Sequence, residues 1–221
     1  MQPIHPVFMI KVYYAYTNIL EGRSLDCLLT SLSSMTKSKL AGFKRKEDRF
    51  LRLTSCVLLS KALMENGYSD FQLFDIQYTD AGRPYFQNAP FDFNISHTDN
   101  CAILAFSENG RVGIDVEKIK EVDLSDFETV FSEKIWDIIF SSEDKNGMFY
   151  YYWTILESAV KADGRGLSLV SSKQITILND QVLIDGKEWY PHHKNFDPSI
   201  SCCVMSTNKN ETIEFIEIES I

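Results

Sequence analysis

The two halves of the chain align on each other at a constant offset of 101 residues without a gap, and this limits the possible folds more than any other feature. Residues 49–52 fall on 150–153, residues 74–76 on 175–177, and residues 101–104 on 202–205. The identity is low, so two unrelated halves of one fold class would also give this pattern. We favour an internal duplication, which predicts two lobes related by a pseudo-two-fold axis with a site in the cleft between them.

The composition is that of a folded protein without an extended basic surface. Apolar residues make up 44% of the 221 residues, which is enough for a buried core. The chain carries 22 basic and 31 acidic side chains. We therefore expect no general binding of nucleic acid, because such binding needs a basic face.

The sequence also predicts a cytoplasmic protein that does not bind a membrane. No uncharged apolar run approaches the ~18 residues of a membrane-spanning helix, and residues 1–21 lack the pattern of a signal peptide. Five cysteines without a CxxC motif indicate reduced thiols rather than a disulfide framework.

Hydrophobic periodicity predicts an α+β fold of two similar lobes, residues 1–110 and 111–221, each a small antiparallel sheet packed with helices. The long helices are expected at residues 47–66 and 149–161, and a capping-box spacing at 125–128 predicts the start of another helix. His192 and His193 are expected in a loop. Strands are predicted at residues 11–16, 71–78, 94–97, 101–106 and 112–117 (the last two as a hairpin), and at 174–178, 181–184, 202–206 and 212–218.

Asp115 and Glu117 form the first candidate for chemistry. They lie two apart in the run GIDVE at 113–117, so on a strand both carboxylates point outward on the same face. Two carboxylates ~4 Å apart repel by roughly 1 kcal/mol in water and ~4 kcal/mol at an effective dielectric constant near 20. A hard cation such as Mg²⁺ relieves that repulsion. The alternative, which this motif alone favours, is a solvated strand face.

A second candidate is the helix that ends at Lys161. Trp153, Glu157 and Lys161 are spaced four apart and therefore share one stripe of the helix. Gly164 and Gly166 follow, and glycines at a helix end allow left-handed backbone and close approach of a ligand. Lys161 would then meet a phosphate; the alternative is an ordinary surface ion pair.

His97 and a group of basic residues are weaker signals. His97 follows Ser96 at a predicted strand end, and a structural, hydrogen-bonded histidine is the alternative to a functional one. The basic residues form either a solvated helix face or a pocket for a polyanionic small molecule. They are Lys37, Lys39, Lys44, Arg45, Lys46, Arg49 and Arg52.

Taken together, four motifs resemble those of the surfactin-type 4′-phosphopantetheinyl transferases, in that family's order and over nearly the whole chain. They are GRP at 82–84, FNISH at 93–97, GIDVE at 113–117 and WTILESAVK at 153–161, the last followed by GRGL at 164–167. The length fits the two-lobed type, which implies a monomer. The chain departs from the family at Leu156, where a lysine is usual, and this puts carrier docking or an ion pair in doubt.

The resemblance implies a role for each matching residue. Asp115, Glu117 and Glu157 would hold Mg²⁺ with the diphosphate of coenzyme A. The implied cofactor-binding residues are Lys161, His97, Ser96 and Arg83, with Arg49 or Arg52, and Lys37 or Lys39, at the 3′-phosphate. Glu157 and Lys161 would be catalytic, Glu157 by accepting a proton and Lys161 by neutralising phosphate charge.

The implied reaction transfers the 4′-phosphopantetheine arm of coenzyme A to a serine of an apo acyl or peptidyl carrier protein. The carrier would dock on residues 121–140. Two alternatives remain open. A degenerate member of the family would bind coenzyme A or a carrier without transfer, and a carboxylate-metal phosphodiesterase would need a second acidic cluster or a histidine base.

Overall fold

Two β-sheets form the centre of the computed structural model, which describes residues 9–22, 29–30, 32–166, 174–194 and 196–220, without the side chain of Lys39. The helices are α1 (Ser34–Gly42), α2 (Lys46–Glu65), α3 (Glu133–Ser141) and α4 (Lys145–Asp163). The strands are β1 (Met9–Tyr16), β2 (Gln77–Tyr78), β3 (Pro84–Tyr85), β4 (Asp92–Thr98), β5 (Cys101–Ser107), β6 (Val112–Lys118), β7 (Ile175–Ile177), β8 (Val182–Ile184), β9 (Lys187–His193), β10 (Ile200–Ser206) and β11 (Thr212–Glu217).

The first sheet has the strand order β11-β1-β5-β4, and the second has the order β6-β10-β9-β8-β7. In the first, β1 pairs antiparallel with β5 and β5 with β4; in the second, β6 pairs antiparallel with β10 and β10 with β9. The same pairing order thus occurs in both halves of the chain. The predicted α+β fold of antiparallel sheets and helices is confirmed. The lobe boundary at residue 110 stays a prediction, and β11 returns to pair parallel with β1.

The sheets and the two long helices stack in four layers. One face of the first sheet buries Tyr13 and Leu104 against α2, and one face of the second buries Cys203 and Met205 against α4. The remaining faces meet in a central core, which consists of Ile10, Val12, Ile103, Ala105, Val112, Ile114, Val116, Ile200, Cys202 and Val204. This burial explains why β5 and β10, which are buried along their whole length, read as near-continuous apolar runs.

The predicted hairpin of residues 101–106 and 112–117 is wrong, because its two strands lie in different sheets. β5 pairs with β1 and β4, whereas β6 crosses to the second sheet and pairs with β10. Gly110 has a left-handed φ of 88°, so the turn at 108–110 was predicted correctly, but it connects sheets rather than neighbouring strands. Local sequence does not specify which strand a turn leads to.

Three other local predictions are also wrong. Residues 71–78 form a 3₁₀ turn at Leu73–Asp75 and only a two-residue strand. The capping-box spacing lies in the 3₁₀ helix Leu124–Phe127, and the following α-helix begins only at Glu133. His192 and His193 lie in strand β9, half-buried, rather than in a loop.

The remaining strands and both long helices lie within a few residues of their predicted bounds. The predicted reduced thiols are confirmed for Cys56, Cys101, Cys202 and Cys203, which are free and buried. None of the described helices is long and apolar enough to cross a membrane.

Side chains of β4 join the two sheets. The backbone amides of Val112, Ile114 and Lys118 on β6 donate to the side chains of Asp92, Asn94 and Thr98 at 2.9, 2.9 and 3.0 Å. Alternate amides of an edge strand point away from its partner and need another acceptor. Each acceptor on β4 precedes its donor on β6 by 20 residues in the sequence, so the two strand edges are held in one register.

Gly113 allows α4 to pack directly on β6. A Cβ atom at Gly113 would lie 2.1 Å from the carbonyl oxygen of Ser158 and 2.6 Å from the amide nitrogen of Ala162. Both are backbone atoms of α4, so a side chain would force the helix and strand apart. The glycine therefore sets the distance between Asp115 and the helix opposite it.

We expect Gly113→Ala to lower the free energy of unfolding by about 1–3 kcal/mol, the usual cost of overpacking. Gly42→Ala is the matched control, because no atom lies within 4 Å of a Cβ there. Urea unfolding followed by circular dichroism measures both. An equal effect of the two substitutions would contradict the argument.

Candidate active site

Asp115, Ser96 and Lys161 form a polar network where β4, β6 and α4 meet. The ammonium of Lys161 lies 2.5 Å from Oδ1 of Asp115 and 2.9 Å from Oγ of Ser96. The Ser96 hydroxyl donates to the same Oδ1 at 3.0 Å. Three motifs far apart in sequence therefore meet at one point.

Asp115 is buried rather than solvated. Only 2% of the residue is exposed, because α4 covers the face of β6 that carries Gly113, Asp115 and Glu117. The predicted outward orientation is wrong for Asp115, and so is its alternative, a solvated strand face. Its second oxygen, Oδ2, is buried without a hydrogen-bond partner. A buried anionic oxygen without a partner is costly.

Glu117 and Glu157 are half-buried and lie within electrostatic range of Asp115. Burial, and then the charge of Asp115, raise the pKa of Glu117 to about 7. The same two causes raise the pKa of Glu157, and the Lys161 ammonium opposes both shifts. Excess negative charge thus collects around one lysine. No group of three or more histidine, cysteine or acidic side chains in the described ranges is already arranged to hold a metal ion.

His97 lies beside Ser96 on β4 but faces the other side of the strand, toward the start of α2. There it borders a cleft of about 690 Å³ that also contacts Arg45, Glu117 and Lys120. His97 is exposed to this cleft, and partial desolvation, and next the charge of Lys161, lower the pKa of its imidazole. Arg45 belongs to the predicted basic group, but the sequence did not single it out.

The basic residues of α2 have different surroundings. Arg52 donates to the hydroxyl of Tyr78 at 2.5 Å, and its charge also lowers the pKa of His97. Arg49, one turn earlier, is exposed. Lys37 donates to the carbonyl of Thr30, and the side chain of Lys39 lies outside the described part of the chain.

Arg83 is only 6% exposed and bonds within the protein. Its guanidinium donates to the carboxylate of Asp92 at 2.6 Å, to the carbonyls of Phe93 and Val112 at 3.1 and 3.0 Å, and to the carbonyl of Lys161. The expected position near a nucleotide stays a prediction. The contacts observed belong to the scaffold under the site.

Leu156 is 3% exposed and packs in an apolar cluster between α3 and α4, away from the Glu157 and Lys161 stripe. Its neighbours in that cluster include Phe131, Ile135 and Phe149. It also lines a second cavity, of about 530 Å³. A lysine ammonium at this position would be buried among apolar side chains unless the helices moved.

Comparisons with known proteins identify the family of this chain. Residues 21–109 match the family pattern described as "4′-phosphopantetheinyl transferase, N-terminal", and residues 111–203 match the 4′-phosphopantetheinyl transferase superfamily. The chain is 32% identical to the 4′-phosphopantetheinyl transferase ffp of Bacillus subtilis, over 72% of this chain and 73% of the relative.

Two further relatives give the same result. Identity is 29% with the 4′-phosphopantetheinyl transferase Sfp of Bacillus subtilis strain 168, over 72% of this chain and 73% of the relative. Identity is also 29% with the 4′-phosphopantetheinyl transferase gsp of Aneurinibacillus migulanus, over 86% and 84%. With both halves of the chain matched, the protein belongs to the 4′-phosphopantetheinyl transferase superfamily.

Proposed function

We propose that this protein transfers the 4′-phosphopantetheine arm of coenzyme A to a serine hydroxyl of an apo carrier protein. The observation that carries the proposal is the network of Asp115, Ser96 and Lys161, with Glu117 beside the cleft. The products are the holo carrier protein and adenosine 3′,5′-bisphosphate.

The acidic side chains fit a divalent cation. Asp115 Oδ2 is a buried oxygen without a partner. Burial, and then the charge of Asp115, raise the pKa values of Glu117 and Glu157 against the opposing charge of Lys161, so a further cation beside them would be favoured. Oxygen-only ligands of this kind suit Mg²⁺. Asp115, Glu117 and Glu157 would hold it, and when bound it would supply charge neutralisation at the diphosphate.

Lys161 and His97 are the proposed phosphate ligands of the protein itself. The Lys161 side chain is 28% exposed, so it can meet a phosphate oxygen while it stays close to Asp115. His97 borders the cleft, and a protonated ring nitrogen there would donate a hydrogen bond to a phosphate oxygen. Ser96 holds Lys161 in position from the same strand.

In the proposed reaction the carrier serine oxygen bonds to the β-phosphorus of coenzyme A. The bond from that phosphorus to the bridging oxygen of the diphosphate breaks, and adenosine 3′,5′-bisphosphate leaves. Glu157 is the proposed base that takes the serine proton, because it is a half-buried carboxylate one helical turn before Lys161 on the same stripe of α4. Lys161 stabilises the charge that develops on the phosphate oxygens.

We place carrier docking on residues 121–140. This segment contains helix α3, on which Ile138 and Phe140 are 38% and 54% exposed. The net charge of −9 cannot attract an acidic carrier, so a local apolar contact would have to supply the affinity. Monomeric state and cytoplasmic location are part of the same proposal.

Intact-protein mass spectrometry of apo carrier proteins tests the activity. Incubation with this protein, coenzyme A and Mg²⁺ should add the mass of one phosphopantetheine arm to the carrier serine. The gain should disappear with a chelator and with Asp115→Ala, because both remove the bound cation. Coenzyme A binding without transfer to any carrier, unaffected by Glu157→Gln or chelator in calorimetry, would instead identify a binding module.

Thermal unfolding in the presence and absence of Mg²⁺ tests the cation site without any substrate. The pKa of Glu117 is raised from 4.5 to about 7 in the folded protein, so its contribution to stability decreases as the pH rises between these values. Bound Mg²⁺ should offset this loss of stability. We therefore expect it to raise the unfolding temperature by a few degrees at pH 8 but little at pH 5.

Asp115→Asn is the control for that experiment, because it removes one carboxylate and leaves the side-chain shape nearly unchanged. It should reduce the Mg²⁺ effect at pH 8. An equal Mg²⁺ effect at both pH values, or one unchanged by Asp115→Asn, would contradict the assignment of these ligands.

Arg52 is the proposed ligand of the 3′-phosphate, because Tyr78 orients its guanidinium near His97. Arg52→Gln should weaken coenzyme A binding about tenfold, the effect of one charge-assisted hydrogen bond. It should leave the affinity for 3′-dephospho-coenzyme A unchanged. Calorimetry with both ligands measures this, with Arg49→Gln as the parallel variant on the same helix. A selective loss in Arg49→Gln alone would reassign the contact.

A further inference from the structure

The C-terminal end of α4 is capped by two arginines from outside the helix. The last four carbonyls of a helix lack partners within it. Here the amide of Gly164 donates to Val160 at 2.9 Å, and Arg83 donates to the carbonyl of Lys161. Arg111 donates to the carbonyl of Ala162 at 3.0 and 3.2 Å and to that of Asp163 at 3.2 Å. All four carbonyls are thus satisfied.

Asp92 connects both arginines to the junction of the two sheets. Its Oδ2 atom lies 2.6 Å from Nη2 of Arg83 and 3.8 Å from Nε of Arg111. The same oxygen accepts the backbone amide of Val112 at 2.9 Å, where β6 begins. The end of α4 is therefore attached to the first residues of β4 and β6 through one carboxylate.

Gly164 leaves room for this contact. Its φ is 88°, and a Cβ atom there would lie 2.8 Å from Nη2 of Arg111. The glycine that ends the helix therefore also admits the guanidinium to the helix end. Positive charge at this end is favoured by the helix dipole as well.

We propose that Arg83, Arg111 and Asp92, here called the arginine clamp, fix the axial position of α4 and so position Lys161 and Glu157 for phosphopantetheine transfer. The inference rests on the proposed function. Arg83 holds the backbone carbonyl of Lys161, whose side chain reaches Asp115 and Ser96. A shift of the helix end would move the ammonium relative to both. The arginines are positioning residues that act through α4.

Arg111→Gln is the informative variant, because the Arg111 side chain is 43% exposed and its loss leaves the buried core intact. We expect kcat to fall about tenfold or more, since small displacements of reacting groups cost large factors. KM for coenzyme A should change less than about twofold. Arg111→Lys, which retains the charge and some donor capacity, should recover part of the rate.

Arg165→Gln is the matched control. Arg165 lies at the same end of α4 and pairs with the carboxylates of Asp163 and Asp185. This variant should keep kcat close to that of the unmodified protein. Equal losses of kcat in both variants, or an Arg111→Gln effect confined to KM, would overturn the proposal.

Amide hydrogen exchange without substrate separates this proposal from the proposed function. In Arg111→Gln the amides of residues 160–164 should exchange about tenfold faster, and in Arg165→Gln they should not. Absence of transfer by the unmodified protein would refute the proposed function, but the exchange measurement would still test the arginine clamp. Unchanged exchange in Arg111→Gln would overturn the clamp even if the unmodified protein is active.

Discussion

The structure depends on the contact between two sheet edges, at which side chains of β4 take the place of a neighbouring strand. Asp92, Asn94 and Thr98 accept the backbone amides on the free edge of β6. An edge strand otherwise leaves its amides to solvent, and these side chains satisfy them inside the protein. These acceptors lie on the same face of β4, separated by even numbers of residues along the strand. A shift of one residue would turn them away from β6, so they fix the register between the two sheet edges.

That register determines where the site lies. Ser96 is one of the alternating β4 residues that face β6, and so it meets Asp115, while its neighbour His97 faces the start of α2. Neighbouring residues of β4 therefore contact the Asp115 network on one side and lie beside the basic helix α2 on the other. Gly113 then allows α4 close enough for Lys161 to reach Asp115.

The motifs of the site could be found in the sequence, but their environment could not. Asp115 and Glu117 were correctly grouped by the two-residue period of a strand. Asp115 was nevertheless expected to point outward to solvent, because periodicity does not show that α4 covers this face of β6 while the first sheet covers the other. Arg83 was noticed for its motif, whereas its bonds to α4 and β6 follow from contacts across 78 and 29 residues. Arg111, which completes the helix cap, belongs to none of the motifs.

The sequence by itself determined the α+β class, the long helices, most of the strands and the acidic and basic candidates, because these follow from local periodicity and residue chemistry. The tertiary structure alone decided that β6 leaves β5 for the second sheet, and that Asp115 and the guanidinium of Arg83 are buried. The physical reason is that strand pairing and burial depend on residues distant in the chain. A turn of a few residues carries no information about them.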